Sequence, residues 1–300
     1  MSKSLSTQPY KGVRDFYPDD MAVQQYIFSV WSHSAESFGY ERYDASVLEP
    51  SELYRSKGAV NEELVNDQTY TFTDRGEREV TLRPEMTPSV ARMVAGRRRE
   101  LTFPIRWYSI PNLFRYERTQ RGRLREHWQL NCDIFGAPGV AADVEIILLA
   151  DSVFKNFGAE NGEHYAIRVN HRGVLETLFR ELGLAEETAT AITRLADRKL
   201  KMPADTFSSE LTSLAGDQTP ALEQFFNAQS PADLPDLVAE SPAYQNLVLF
   251  MDTLEADYNL KVVFDPTVVR GFDYYTGLVF EVFDLNEENN RALMGGGRYD

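Results

Sequence analysis

One cysteine, Cys132, in 300 residues excludes a disulfide framework and cysteine-rich zinc sites. The four histidines, His33, His127, His164 and His171, show no ligand spacing, so no protein-bound structural metal is expected. Long apolar runs are missing too. Stretches such as EIILLA and NLVLF fall far short of a membrane span. The segment MSKSLSTQPYKGVRDF contains nothing that could serve as a signal peptide. A cytoplasmic chain with no membrane partner is expected. No Gly-x-Ser-x-Gly or Walker pattern occurs, and the glycines of GGGRYD do not form a dinucleotide fingerprint. There is no internal repeat. What remains is 43% hydrophobic and 26% charged, the composition of a folded protein large enough to bury its core without staples.

Positive charge is scarce overall. With 31 basic and 46 acidic side chains the net charge is −15, which argues against DNA or other nucleic acid held by bulk charge. The balance is uneven, however. From Arg75 to Glu126 there are thirteen arginines, no lysine and six glutamates, a window of +7. From Glu181 to Leu260 fourteen acids face four bases. An arginine-only cluster inside an acidic chain suits a planar or phosphorylated anion, although solvated surface arginines would read the same way.

Hydrophobic spacing predicts a helix from Asp19 to Phe38, ended by Gly39, and a strand from Arg42 to Leu48 stopped by Pro50. A strand to Leu82 or Arg83 should lead into a helix near Pro88 with Thr87 as its cap. Two runs, Ile105–Arg118 and Leu124–Phe135, flank a basic loop and predict an antiparallel hairpin. Ala141–Phe157 reads as a helix, Tyr165–Val169 as a strand, and His171–Leu260 as a helical block. Strands return at Val262–Phe264 and Tyr275–Phe283, with a turn at Gly295–Gly297. A sheet interrupted by helices and then resumed is an α+β fold with an insertion domain. The expected division is residues 1–170 and 261–300 as a core, with 171–260 inserted.

Residues two apart on a strand share a face. Arg115 and Glu117 should therefore point one way, and Gln129, Asn131 and Asp133 should share a side, with Trp128, Leu130, Cys132 and Ile134 forming the core face. An exposed polar face laced with weak ion pairs is the plain alternative. Three further clusters stand out: Arg83, Glu85 and Thr87 between prolines; Arg270, Asp273, Tyr274 and Tyr275 in RGFDYYTGLVFE; and Arg298, Tyr299 and Asp300 in GGGRYD. Paired tyrosines at a strand edge commonly serve as core packing.

Together these segments resemble the histidyl-tRNA synthetases, a family of class II aminoacyl-tRNA synthetases. KGVRDFYP resembles the family's N-terminal signature, and the first helix and strand its motif 1, which implies a homodimer. FRYERTQRGRLREHWQLNCDIFG resembles motif 2, RGFDYYTGLVFE the histidine signature, and GGGRYD the pocket loop after it. The resemblance implies a class II antiparallel sheet flanked by helices. It also implies ATP with Mg2+, L-histidine and tRNA(His) as substrates, and formation of histidyl-adenylate before transfer to tRNA.

By the same resemblance, Glu85 and Thr87 hold the α-amino group, Arg115 the α-phosphate and Glu117 the adenine amine. Gln129 meets the amino acid's polar groups, Asp133 lies deeper, Tyr274 and Tyr275 contact histidine, and Arg270 sits by the α-phosphate. His127 stands where the family often places an adenine-stacking phenylalanine. Motif 3 and an anticodon-binding domain are expected beyond Asp300, so the sequence reads as an N-terminal portion of the family pattern. The rival expectation is the synthetase-like regulatory subunit of ATP phosphoribosyltransferase, a group that loses catalytic positions present here.

Overall fold

The structure is a computed structural model that describes residues 5–55, 68–117, 123–199, 202–269, 275–286, 288–289 and 292–299. Helix α1, Pro18–Ser37, starts with proline at a position that needs no amide and with Asp19 and Asp20 in its first turn. Gly39, at φ +78°, ends it: Tyr40 N–H bonds Ala35 C=O and Gly39 N–H bonds Glu36 C=O, a closure that needs a left-handed residue.

The expected strand after α1 is two strands in two sheets. β1, Glu41–Arg42, lies parallel to β5, Ile105–Ser109, whereas β2, Leu48–Pro50, lies antiparallel to β4, Glu79–Leu82. The chain leaves one sheet and enters another within five residues, which alternation cannot reveal. Pro50 ends β2 at a sheet edge, where its missing N–H costs nothing. A short α2, Glu52–Arg55, follows, and β3, Tyr70–Thr73, covers the other side of β4. Helix α3, Thr87–Arg97, takes Thr87 as its first helical residue and Met86 as its cap, one position earlier than expected.

β6, Asn112–Phe114, pairs with β7, Glu126–Trp128, and β5 pairs with β8, Asn131–Phe135. These strands lie in a first unit, Met1–Ala137. Residues 119–122 of the expected basic loop lie outside the described residues.

The second unit, Pro138–Asp300, opens with α4, Val140–Asn156, then β9, Tyr165–His171. Helices α5 (Arg172–Glu181), α6 (Glu186–Ala196), α7 (Ala204–Ala215), α8 (Thr219–Asn227) and α9 (Pro242–Tyr258) follow, joined by short 3-10 turns. Strands β10 (Val263–Phe264), β11 (Leu278–Asp284) and β12 (Ala292–Gly297) complete a sheet ordered β10-β9-β11-β12. β9 and β10 are parallel neighbours, so the helical stretch between them is one long crossover. Its apolar faces share a core with the sheet: Ile192, Phe207, Phe225 and Phe250 belong to the same cluster as Ile167, Val169, Phe280 and Val282. The architecture is α+β, as the alternation of elements implied.

Gly295–Gly297 form a strand rather than the expected turn. Two of them face aromatic rings: a Cβ on Gly296 would lie 2.8 Å from the Phe280 ring, and one on Gly297 would lie 2.6 Å from that of Tyr275. Glycine is required there by aromatic rings crossing the strand.

Candidate active site

The two short strand pairs of the first unit are one antiparallel ladder. Ile105 stands opposite Phe135, Ser109 opposite Asn131, Asn112 opposite Trp128 and Phe114 opposite Glu126, a single unbroken register. The gap falls at Pro111, which has no amide to give. Its carbonyl still accepts from Gln129 N–H at 3.2 Å, and Arg115 N–H reaches Arg125 C=O at 2.9 Å beyond β6. Opposed residues share a face. Trp107, Ser109 and Leu113 thus lie on the same side as His127 and Asp133, with Gln129 and Asn131 between.

The Trp128 side of this ladder is covered and the Asp133 side is covered at its Ile105–Phe135 end, which corrects the simple split into a core face and a polar face. On the Trp128 side, Phe16, just ahead of α1, stands edge-on at 5.2 Å, Phe28 of α1 lies at 6.4 Å, and Glu36 accepts from Tyr108 Oη at 2.5 Å. On the other side Val90 and Val94 of α3 pack with Ile105, Trp107, Phe135 and Tyr43. Asp133 is 6% exposed, more buried than any of the four residues expected to form the core face. Burial, then neighbouring Asp133, pushes the Cys132 thiol up, so it stays protonated.

Arg83 joins the ladder to the loop before α3. It is 2% exposed, and its guanidinium donates to Asn112 C=O (3.0 Å), Asn112 Oδ1 (3.1 Å), Ala45 C=O (2.7 Å) and Asp44 Oδ1 (2.9 Å). Its carbonyl accepts from Phe114 N–H at 3.0 Å. Arg115 Nε then donates to Pro84 C=O at 2.9 Å, which fixes the guanidinium plane beside the segment carrying Glu85 and Thr87. Glu85 is buried, Thr87 half-buried.

Glu117 lies past the end of β6, where its N–H turns back to Arg115 C=O at 2.8 Å. Strand alternation therefore does not orient it. Arg123 does, through Nη1 to Oε2 at 3.0 Å. His127 lies within the fields of both partners. Burial, then Arg115, lowers its pKa to about 4, with Glu117 opposing, so its ring is neutral and flat at neutral pH. Gln129 is exposed and donates to Asn131 Oδ1 at 3.0 Å.

Sequence reading missed Arg125. Its N–H donates to Gly12 C=O (2.7 Å) and its Nη1 to Tyr10 Oη (3.1 Å) and Lys11 C=O (3.3 Å), while its guanidinium stacks 3.9 Å from the Tyr116 ring centre. It pins the KGVRDF segment to the ladder. The signal, one arginine among thirteen, carried no address.

Within the second unit, Tyr275 is buried with Val268 and Val279. Arg298 donates to Asp143 Oδ1 (3.0 Å) and Gly139 C=O (2.8 Å). Arg270 and Tyr274 lie outside the described residues.

A family model described as histidyl-tRNA synthetase matches residues 12–300. The chain belongs to the histidyl-tRNA synthetase family. The histidine–tRNA ligase of Leptospira biflexa is 44% identical over 99% of this chain and 69% of its own length. That of Thermoplasma volcanium is 43% identical over the same shares, and the chloroplastic/mitochondrial enzyme of Arabidopsis thaliana 38% identical over 99% and 61%. Among solved structures, histidyl-tRNA synthetase from Nostoc sp. PCC 7120 superposes at TM-score 0.83 with 21% identity, over 99% of this chain and 69% of that one. A Bacillus halodurans protein titled ATP phosphoribosyltransferase regulatory subunit/histidyl-tRNA synthetase superposes at 0.85 with 24% identity, over 100% and 78%. These last two likenesses establish the fold alone.

The buried imidazole of this family member gives a pH test. Above pH 6.5 His127 is neutral in both folded and unfolded chains; between 6.5 and about 4 the unfolded chain gains a proton that the folded one refuses. Stability should therefore fall as pH drops through that window. Relative to wild type, His127→Phe should recover about 1–2 kcal/mol on going from about pH 7 to about pH 5. All three tryptophans, Trp31, Trp107 and Trp128, lie in the first unit, so urea titration by tryptophan fluorescence reads this locally. Equal pH dependence in both proteins would refute the assignment.

Proposed function

We propose that the His127–Asp133 face of the ladder binds ATP and L-histidine and that the chain joins them as histidyl-adenylate, the first half of histidine–tRNA ligation. Arg115 carries the reading. It is a planar cation whose Nε is anchored on Pro84 C=O, beside a buried carboxylate, Glu85, suited to an ammonium group.

In the chemistry this implies, a carboxylate oxygen of histidine attacks the α-phosphorus in line. The new O–P bond forms as the bond to the bridging oxygen breaks, and pyrophosphate leaves with that electron pair. A hydroxyl of tRNA(His) then takes the acyl group and AMP departs. No protein nucleophile is needed; the work is positioning and charge stabilisation. Glu85 and Thr87 hold the α-amino group, Arg115 and Arg270 neutralise the α-phosphate, Glu117 accepts from the adenine amine, and His127 supplies a flat face to the base. Gln129 meets polar groups of the amino acid, Asp133 accepts from its ring N–H, and Tyr274 and Tyr275 enclose it. ATP enters as its Mg2+ complex.

Residues 171–260 are read as an insertion into a core formed by 1–170 and 261–300, supported by the parallel pairing of β9 and β10 on either side of it. The regulatory-subunit alternative rests on fold likeness, whereas ligases are the relatives at 36–44% identity. Exposed Val23 and Tyr26 on α1 support a homodimer through the α1–β2 segment, and sedimentation at micromolar concentration should give twice 34.2 kDa rather than the monomer.

Histidine-dependent pyrophosphate exchange tests the main reading. The chain should exchange label into ATP with histidine and not with phenylalanine. Arg115→Ala should cut the rate by about 10²–10³ while histidine affinity by calorimetry changes little. Exchange that survives Arg115→Ala would remove the observation on which the reading stands.

A further inference from the structure

β1 runs beside β5 so that Glu41 pairs with Trp107 and Arg42 with Tyr108, and Tyr43 N–H continues the ladder to Tyr108 C=O at 2.9 Å. Tyr43 therefore comes level with Ser109, one step along β5 from Trp107, the residue opposite Asp133. Residues at these positions share the face that carries Asp133. The Tyr43 ring leans on Trp107, centroids 5.6 Å apart and planes at 34°.

Two hydroxyls here are anomalous. Tyr43 Oη and Ser109 Oγ are both buried and face each other, and neither makes a hydrogen bond within 3.5 Å among the described residues. Buried polar atoms are normally satisfied, and leaving one unmade is costly. A tyrosine that needed only to pack on Trp107 could be phenylalanine, and a serine facing it could be alanine.

Their electrical setting is also defined. Burial raises the Tyr43 pKa and negative charge on Asp133 raises it further, with the Ser109 hydroxyl acting the other way. Tyr43 stays a phenol and keeps a proton to donate. Beside it Asp133 supplies an acceptor.

We propose that Tyr43 and Ser109 are specificity residues for the amino-acid substrate, presenting a hydroxyl donor to one ring nitrogen of a neutral imidazole while Asp133 accepts from the other. The inference rests on the proposed binding of histidine to this face. A neutral imidazole has one N–H and one bare nitrogen, so a site with a carboxylate on one side and a hydroxyl donor on the other matches it. A ring of the same size without nitrogens would offer the hydroxyl donor nothing to bond. That asymmetry is what gives polar sites their strong rejection of apolar isosteres.

Calorimetry with L-histidine and with β-(2-thienyl)alanine, on the full chain, tests this. Tyr43→Phe should weaken histidine binding by about tenfold, leave thienylalanine binding unchanged or better, and so narrow the preference. Ser109→Ala should act in the same direction, and ATP affinity should stay as in wild type. Because Tyr43 Oη meets only the Ser109 hydroxyl, and makes no hydrogen bond within 3.5 Å, Tyr43→Phe should leave the urea midpoint of the first unit close to that of wild type. A packing-only role predicts no change in ligand preference, and a structural hydrogen bond predicts a lower midpoint. Unchanged histidine affinity and unchanged preference in both variants would overturn the proposal. Wild type that fails to bind histidine would instead overturn the underlying assignment of the face.

Discussion

A single buried guanidinium sets the geometry on which the first unit's chemistry depends. Arg83 leaves β4 and is met by Asn112 at the head of β6 and by the Asp44–Ala45 turn between β1 and β2. These segments come from different sheets. Backbone bonds join them only in pairs, Phe114 N–H to Arg83 C=O and Arg83 N–H to Val47 C=O, whereas a planar fork bonds several acceptors at once and ties all three together. The next residues, Pro84 to Thr87, inherit that fixed position, and Arg115 is then oriented by Pro84 C=O. Stability of the junction and aim of the Arg115 side chain are thus one problem, solved by one residue.

The arginine-rich window takes on a different meaning in this light. Several of its arginines are paired with acids or packed on rings within the first unit. Arg92 pairs with buried Glu49, Arg78 with Asp74, Arg123 with Glu117, and Arg125 sits among aromatic rings and carbonyls of the N-terminal segment. The surplus seen in the sequence is therefore in part scaffold, and among the described residues Arg115 is the one anchored on the Pro84 carbonyl beside Glu85. A lysine could replace few of these contacts, since most use several donors or a flat cationic face. That explains why the window contains no lysine better than any bulk attraction to nucleic acid would.

The sequence made the long hairpin legible because alternation runs through it, and the register extends as expected across Pro111. It made α1 legible to within a residue or two, because proline, two aspartates and a glycine mark its ends. It could not show that Arg42 and Leu48 belong to different sheets, because a crossing between sheets leaves no periodic trace. Nor could it show that the hairpin is covered on one face and at one end of the other, since α1 reaches the first and α3 the second from distant positions. Gly296 and Gly297 looked like a turn because their reason for being glycine, the rings of Phe280 and Tyr275, lies elsewhere in the chain. The polar set Arg115, Glu117, His127, Gln129 and Asp133 was visible as a pattern. Its partners Arg83, Arg125 and Tyr43 acquire meaning only through long-range contacts.

The most direct test of this account is Arg83→Lys, read by histidine calorimetry alongside urea titration of tryptophan fluorescence. Lysine keeps the charge but cannot bond Asn112, Ala45 and Asp44 together. The account predicts a folded protein whose first-unit midpoint falls and whose histidine affinity drops by about tenfold under conditions where it remains folded. A variant with wild-type histidine affinity and an unshifted midpoint would contradict the claim that this guanidinium positions the proposed binding face.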